Sequence, residues 1–373
     1  MRKTGTYQAL GDLKHFIPYD LPPRDPSLDF NGEIVTLYGE ASFALGQLNE
    51  MSLRLPDPKR FIKAYVIKEA MLSSAIEGIN TTLAEVFNHT FLDTKVNKDT
   101  QLVLNYTLAL DNALEMLKDQ GLPLVNRVIL KAHDVLLSNG ESAKADPGNF
   151  RKQSVKVGEL VPPPATTIAD LMSGLEKFIN EQSNLPSLIK AGLAHVHFET
   201  IHPFLDGNGR IGRLLIVLML IDSGLISLPI IYPSYYFKKY HLEYYQKLDR
   251  VRTNGDYEGW VIYYLKAIKL SAIDAHSRAK EIEKLEIDLS DLINKDASFT
   301  KMRETSSLVL EFLFTKPIAS IAEISQKLDR AYNTIHNILK IFIKLDLVTE
   351  DLSNKSNKLY KFKPYLLLLE KEY

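Results

Sequence analysis

The chain contains no cysteine, which excludes disulfides and every cysteine-ligated metal site and fits a reducing interior. It has almost no net charge, a formal −1 at pH 7, which argues against a globally basic nucleic-acid binder. It also lacks a long hydrophobic run. The longest apolar stretch stops at Asp222, short of the roughly 20 residues a membrane span needs. The start, Met1-Arg2-Lys3-Thr4-Gly5, leads into no apolar signal segment. Few stretches alternate like strands, and most carry a 3.6-residue period, so the expectation is a mainly helical, soluble, cytoplasmic protein. With 373 residues, 45% of them hydrophobic, there is enough chain for two or three domains.

What is present is concentrated near the middle, in His202-Pro203-Phe204-Leu205-Asp206-Gly207-Asn208-Gly209-Arg210-Ile211-Gly212-Arg213-Leu214. An apolar run, Leu214 to Ile221, follows directly and reads as a buried element, so the Gly-rich stretch reads as a loop entering a helix N-terminus. Glycines at 207, 209 and 212 let backbone N–H groups approach a ligand, and the first turn of a helix offers unpaired donors with partial positive charge. Arg210 and Arg213, three apart, share a helical face and can fork onto phosphate oxygens. Asp206 has the wrong sign for an anion but the right chemistry for Mg²⁺ bridging phosphates. His202 titrates nearest neutrality, at about 6.5 unperturbed, and is the natural general base. These parts compose a nucleotide site with a base beside it.

Residues His202 to Arg213 match His-x-Phe-x-Asp/Glu-Gly-Asn-Gly-Arg-x-x-Arg at every defined position, and the chain resembles the Fic (Fic/Doc) family through that signature. Gly207-x-Gly209-x-x-Gly212 also fits the dinucleotide fingerprint, but residues 188–195 before it are helical in pattern and Asp222 lies only 15 positions after Gly207, where about 20 are needed. The fold class the resemblance implies is mainly α: a Fic-type helical bundle with a β-hairpin flap, plus a C-terminal winged helix-turn-helix domain. The division expected is an N-terminal arm and inhibitory helix region over 1–98, a Fic catalytic core over 99–290 and a winged-helix module over 291–373.

Taken in order, residues 1 to 30, with Pro18, Pro22, Pro23 and Pro26, read as an extended arm over a domain surface. Helices are expected at about 33–54, with Ile34, Leu37, Ala41, Leu45 and Leu48 on one face, and at 58–77, opened by Asp57-Pro58 and closed by Gly78. Ser73 and Glu77 share a face in that second helix, and an acid at a helix C-terminus opposes the dipole, which suggests a cationic partner elsewhere. Ser73-x-x-x-Glu77-Gly78 resembles the inhibitory motif of some Fic proteins. What this implies is that Glu77 pairs with Arg213 and blocks the arginine meant for the ATP γ-phosphate.

Thr82-Leu83-Ala84-Glu85 is a capping box. Helices follow at about 99–119, 125–138 (ending at Asn139-Gly140), 167–182 and 186–200. Between the second and third of these, Gly148 to Gly158, closed by Pro162-Pro163-Pro164, reads as a short β-hairpin. The resemblance makes it a flap that pairs with a target protein's backbone, with Ser154, Val155, Lys156 and Val157 as docking residues. His195 and His197 are read as core or supporting groups, because no His-Glu-x-x-His spacing exists, and Phe204 as an anchor for the loop. The aromatic stretch Ser234 to Tyr245 reads as one helix ending near Asn254-Gly255-Asp256. From the resemblance, Tyr244 or Tyr245 lines the adenine pocket. A long helix from about 256 to 285 carries Trp260, and Lys280 to Lys295 reads as a solvated helix running into a linker.

The last 70 or so residues have the order helix, helix, hairpin, ending in a polar turn before Leu359, and resemble a winged helix-turn-helix. From 301 to 373 there are 12 Lys/Arg against 9 Asp/Glu, and the second helix offers Lys340 as its one cation. Phosphate contacts dominate DNA affinity, so a protein-interaction or dimer-positioning role is favoured over DNA binding. The activity implied is transfer of AMP from Mg²⁺-ATP to a Tyr, Thr or Ser hydroxyl of a target protein and of itself. His202 would be the base, Asp206 the Mg²⁺ ligand, and Gly207, Asn208, Gly209, Arg210, Gly212 and Arg213 the phosphate cradle. Removal of AMP with Glu77 taking part is a companion activity, and a homodimer is a further expectation. The alternative is a nucleotide-sensing transcriptional regulator whose winged helix binds DNA.

Overall fold

A computed structural model of the protein describes residues 2–54, 58–89, 97–138, 145–351 and 358–371. The elements run in the order β1 (Gly5–Leu10), β2 (Leu13–Pro18), α1 (Gly32–Arg54), α2 (Pro58–Ile76), α3 (Leu83–His89), α4 (Lys98–Lys118), α5 (Asn126–Leu136), α6 (Ile168–Asn180), α7 (Ser187–Ile201) and α8 (Asn208–Asp222). They continue with α9 (Ser234–Lys239), α10 (His241–Asn254), α11 (Tyr257–Lys295), α12 (Arg303–Thr315), β3 (Ile318–Ser320), α13 (Ile321–Leu328), α14 (Tyr332–Lys344), β4 (Val348–Asp351), β5 (Leu359–Phe362) and α15 (Lys363–Glu370). The first six helices expected from periodicity lie within two residues of their expected ends, the scatter normal at frayed termini. The expected caps at Asp57 and at Asn139-Gly140, and the polar turn before Leu359, fall outside the described residues.

The chain forms two compact units. One comprises Met1–Leu55, Tyr65–Asn80 and Gln101–Ala275; the other Pro56–Ala64, Thr81–Thr100 and His276–Tyr373. In the larger unit α7 is central, packed by α8, α6, α10, α1 and β2. Such a helix cannot be amphipathic, and α7 is buried on every side from Ala191 to Phe198, with His195 and His197 as its polar members. Helix α8 is likewise buried continuously from Arg210 to Ile221, so the loop between α7 and α8 is pinned at both ends to the core.

Residues 1–30 differ from the extended arm expected. They contain an antiparallel β-hairpin, β1 with β2, turning at Gly11, whose φ is +61°. The prolines that suggested an arm all lie at or beyond the last residue of β2, leaving the hairpin free to pair. The flap differs in the opposite sense. Val157 and Leu160 form one isolated antiparallel bridge rather than a ladder. Its main-chain groups are committed elsewhere: the Phe16 N–H of β2 donates to Val161 O (2.9 Å), and the Arg151 side chain takes the carbonyls of Gln153 and Pro163. The aromatic stretch is two helices, broken at Tyr240, and α11 runs unbroken to Lys295.

In the smaller unit, α12 leads into β3, then α13, α14 and the β4–β5 pair, giving a three-stranded antiparallel sheet in the order β3-β5-β4. Ser320 caps α13 by accepting the Glu323 N–H. Leu313, Phe314, Ile324, Ile335, Leu339, Phe342 and Phe362 fill its core.

Candidate active site

The site is built on the α7–α8 loop. His202 caps α7 in the left-handed conformation (φ 50°, ψ 61°), which turns the chain sharply out of the helix. Phe204 is fully buried and stacks on His133, ring centroids 3.7 Å apart. Asn208 staples the turn shut: its Oδ1 accepts the Phe204 N–H at 2.8 Å and its Nδ2 donates to Phe204 O at 2.9 Å. Gly207, at φ +79°, makes the left-handed step into α8 that a side chain would strain. His133 Nε2 meets Asp206 O at 3.0 Å, while its Nδ1 accepts the Gly148 N–H. Since Nδ1 is an acceptor, Nε2 carries the proton and donates to that carbonyl.

His202 is half-buried by exposed area, and desolvation of its ring lowers its pKa to about 4, with the Arg151 charge acting in the same direction and the Glu199 carbonyl, Glu77 and Asp206 opposing. The imidazole is therefore neutral at pH 7 and able to accept a proton. Arg210 is 3% exposed, with its Nη2 3.5 Å from Asp206 Oδ1. Among the described residues nothing accepts from its Nε or Nη1. Buried, unsatisfied guanidinium donors at a helix N-terminus call for an anion.

Arg213 donates three hydrogen bonds to the end of α2 and the residue just beyond it. Its Nε donates to Ser73 Oγ (2.9 Å) and its Nη2 to both Ser73 O (2.9 Å) and Glu77 Oε1 (2.7 Å). Burial works to raise the Glu77 pKa, but the charge and hydrogen bond of Arg213 more than offset it and leave the carboxyl below its ordinary value. A Cβ on Gly209 would lie 2.2 Å from Glu77 Oε1, so the carboxylate rests against the first turn of α8 and only glycine leaves room for it. Ser73, Glu77, Gly209 and Arg213, distant in sequence, thus form one cluster.

Asp206 is open to solvent, and its Oδ1 accepts the Gly207 N–H at 2.6 Å. No group of three or more His, Cys, Asp or Glu able to hold a metal exists among the described residues. A single open carboxylate beside a phosphate-type cradle fits Mg²⁺, which keeps waters and shares substrate phosphates, better than an all-protein cage. The two tyrosines divide. Tyr244 is buried, its hydroxyl donating to His195 Nε2 (2.8 Å), whose Nδ1 donates to Gly212 O (2.8 Å). It supports α8 from within the core instead of lining an open pocket, whereas Tyr245 is 46% exposed, with the charges of Glu77 and Arg213 near enough to act on its hydroxyl. In the flap, Ser154, Lys156 and Val157 are exposed and Val155 is half-buried.

Besides His133, sequence reasoning missed three groups. Glu199 is half-buried with its Oε1 shut off from solvent, and this desolvation raises its pKa to about 7; that oxygen lacks a partner among the described residues and lies 2.3 Å from where a Gly212 Cβ would be. Glu69, also raised to about 7 by burial, accepts from the Ser234 N–H and from Tyr106. Arg151, 2% exposed, holds the carbonyl of His202. Arg151 stands inside the stretch read as a hairpin, and its burial was the signal that no local pattern carries.

Two family models match the chain, the Fic/DOC family N-terminal model over residues 35–115 and the Fic/DOC family model over 123–220. The Drosophila grimshawi protein named protein adenylyltransferase Fic is 33% identical over 225 residues, covering 58% of this chain and 44% of that protein. The chain thus spans less than half the length of the curated relative it matches. A Fic family protein from Desulfovibrio desulfuricans G20 shares the fold over 90% of this chain and 97% of its own (TM-score 0.56, 21% identity). Fic-1 from C. elegans shares it over 66% of this chain and 74% of its own (TM-score 0.51, 21% identity). With its signature residues gathered at the start of α8, residues 35–115 and 123–220 of this chain are a Fic/DOC family N-terminal region and a Fic/DOC family domain.

Proposed function

We propose that the protein is an adenylyltransferase that moves AMP from Mg²⁺-ATP to a hydroxyl of a protein, and that Glu77 restrains it. The observation that carries this reading is the Glu77 carboxylate lying on Gly209 and Arg213: an anion already sits where a helix N-terminus and a guanidinium would hold a phosphate. The unsatisfied donors of Arg210 beside it support a second phosphate contact. The name of the Drosophila relative supports the choice of AMP as the group moved.

In this scheme the hydroxyl oxygen of the target bonds to the α-phosphorus, the bond from that phosphorus to the bridging oxygen breaks, and pyrophosphate leaves. His202, neutral at pH 7, takes the hydroxyl proton, a step typically worth about 10²–10⁴-fold. The first-turn N–H groups around Asn208 and Gly209 face the charge that develops on the transferred phosphate, and Arg210 and Arg213 bind the outer phosphates. Asp206 would hold Mg²⁺, which when bound neutralises phosphate charge. Glu77 in place removes Arg213 from this set. A tenfold effect on nucleotide binding needs only about 1.4 kcal/mol. Self-modification on tyrosine or threonine, and removal of AMP with Glu77 taking part, belong to the same proposal.

We read the C-terminal unit as a winged helix-turn-helix used for protein contacts or for a homodimer. The outward residues of α14 near its start are Tyr332, Asn333 and Thr334, polar and uncharged, which suits a protein partner better than a phosphate backbone.

The test is incubation of the Glu77→Gly variant with ATP labelled either at the α- or at the γ-phosphate, with Mg²⁺. Label on protein from the α position alone supports adenylyl transfer. Label from the γ position, or from neither, contradicts it.

A further inference from the structure

One side chain outside the signature touches more of the site's backbone than any residue within it. Arg151 is 2% exposed and donates from Nε to His202 O (2.8 Å), from Nη2 to Pro163 O (2.7 Å) and Ile201 O (3.5 Å), and from Nη1 to Gln153 O (2.9 Å). Its own backbone N–H donates to Pro203 O at 2.9 Å. Carbonyls 201, 202 and 203 are thus all held by a single residue.

The chemistry of the end of α7 explains why an arginine is needed. The last carbonyls of a helix have no intrahelical partner and carry the negative end of the dipole. Here the chain must also leave the helix through a left-handed His202, a conformation that a residue with a Cβ adopts at a cost and keeps only when its surroundings enforce it. A planar guanidinium with five fixed donors can serve several carbonyls at once; a lysine ammonium has three donors and no fork. Among the described residues no carboxylate pairs with Arg151, and burial alone lowers its pKa to about 10. A buried cation without an anion is costly, so its acceptors must be what retains it.

The second set of acceptors gives the arrangement its consequence. Gln153 and Pro163 bracket the flap residues Ser154 to Val157, of which all but Val155 are exposed, so one guanidinium spans both ends of the flap and the backbone of the base. We infer that Arg151 is a positioning residue that ties the flap to His202, so that the segment offered to a target and the base that serves it are held in one register. This rests on the adenylyl-transfer reading for its kinetic consequence but not for its structural one. Arg151 faces away from the phosphate cradle in its contacts: none of its hydrogen bonds reaches Asp206, Gly209, Arg210 or Arg213.

The test uses the full chain with Arg151→Lys and Arg151→Met, each in the Glu77→Gly background. Amide hydrogen exchange is followed in peptides covering 153–163 and 202–206, with 212–222 as the internal reference. Both substitutions are expected to speed exchange in the first two peptides together, less for lysine than for methionine, with the reference unchanged. Self-labelling by Mg²⁺-ATP is expected to slow at saturating ATP on the order of 10- to 100-fold for methionine, the scale of a small misplacement of a reacting group, with half-saturating ATP unchanged and partial recovery with lysine. Should methionine prevent folding, the lysine variant alone decides. Exchange that rises in one peptide only, or unchanged exchange in both for a folded Arg151→Lys, overturns the inference. If Glu77→Gly itself does not label, the adenylyl-transfer reading fails while the exchange result still decides the role of Arg151.

Discussion

Glu77 Oε1 accepts a hydrogen bond from Arg213 Nη2 at 2.7 Å, and the same carboxylate lies against Gly209 at the first turn of α8. A single acid just beyond the C-terminal end of α2 therefore pairs with an arginine and lies against a helix N-terminus. The arrangement resolves the placement of an acid against its own helix dipole, since the partner that compensates it belongs to another helix.

Ser73 holds Arg213 toward Glu77 through its hydroxyl and its carbonyl. Ser73→Ala removes only the hydroxyl contact. A loss of about 1 kcal/mol from the restraint corresponds to roughly a fivefold rise in self-labelling over wild type, short of that in Glu77→Gly. Initial rates of label incorporation from α-labelled ATP check this; no rise over wild type would contradict it.

Arg210 has buried donors awaiting an acceptor. In the Glu77→Gly background, Arg210→Ala is expected to weaken ATP binding by about 10- to 100-fold, the equivalent of one or more charge-assisted hydrogen bonds at about 1.5–3 kcal/mol. Isothermal titration calorimetry measures it, and an unchanged Kd removes Arg210 from the phosphate cradle.

Acid is expected not to release the restraint proposed for Glu77. The Glu77 pKa is held below its ordinary value by Arg213, so the pair contributes its stability above about pH 4.5 and loses it only as pH falls through the lower folded value. His202, lowered to about 4, also stays neutral over the same range. Wild-type labelling at pH 5.5 should therefore remain as low relative to Glu77→Gly as at pH 7. A selective rise of wild type at pH 5.5 would show that protonation opens the pair.

Phe204 anchors the catalytic loop between His133 and the core. Phe204→Ala is expected to cost about 3–5 kcal/mol and to abolish labelling. Trp260, the one tryptophan and fully buried in the same unit, reports urea unfolding by fluorescence. A midpoint equal to wild type would mean the loop is held by something else.

The signature from His202 to Arg213 was legible because its chemistry is local: base, carboxylate, glycines and arginines lie within one loop and one helical turn. Glu77 was legible for a different reason, its conflict with its own helix dipole, together with family resemblance. Arg151, Glu199 and His133 were not, because what makes them matter is burial against main chain from distant segments, and no spacing rule reports that. The N-terminal hairpin was hidden by prolines that lie at its last residue and beyond. The flap was overread as a ladder, because alternation in sequence does not reveal that Val161 O and the carbonyls of Gln153 and Pro163 are already taken. Tyr244 and Tyr245 are indistinguishable as neighbours in sequence, yet the helix turns one into the core and leaves the other half exposed.

In the proposed scheme an adenylyltransferase is held off by Glu77 and needs His202. That scheme is tested most directly by incubating wild type, Glu77→Gly and the double variant Glu77→Gly/His202→Ala with α-labelled ATP and Mg²⁺. The account predicts strong label on Glu77→Gly, at least tenfold less on wild type, and none above background on the double variant. Equal labelling of wild type and Glu77→Gly would contradict the restraint, and undiminished labelling of the double variant would contradict the base.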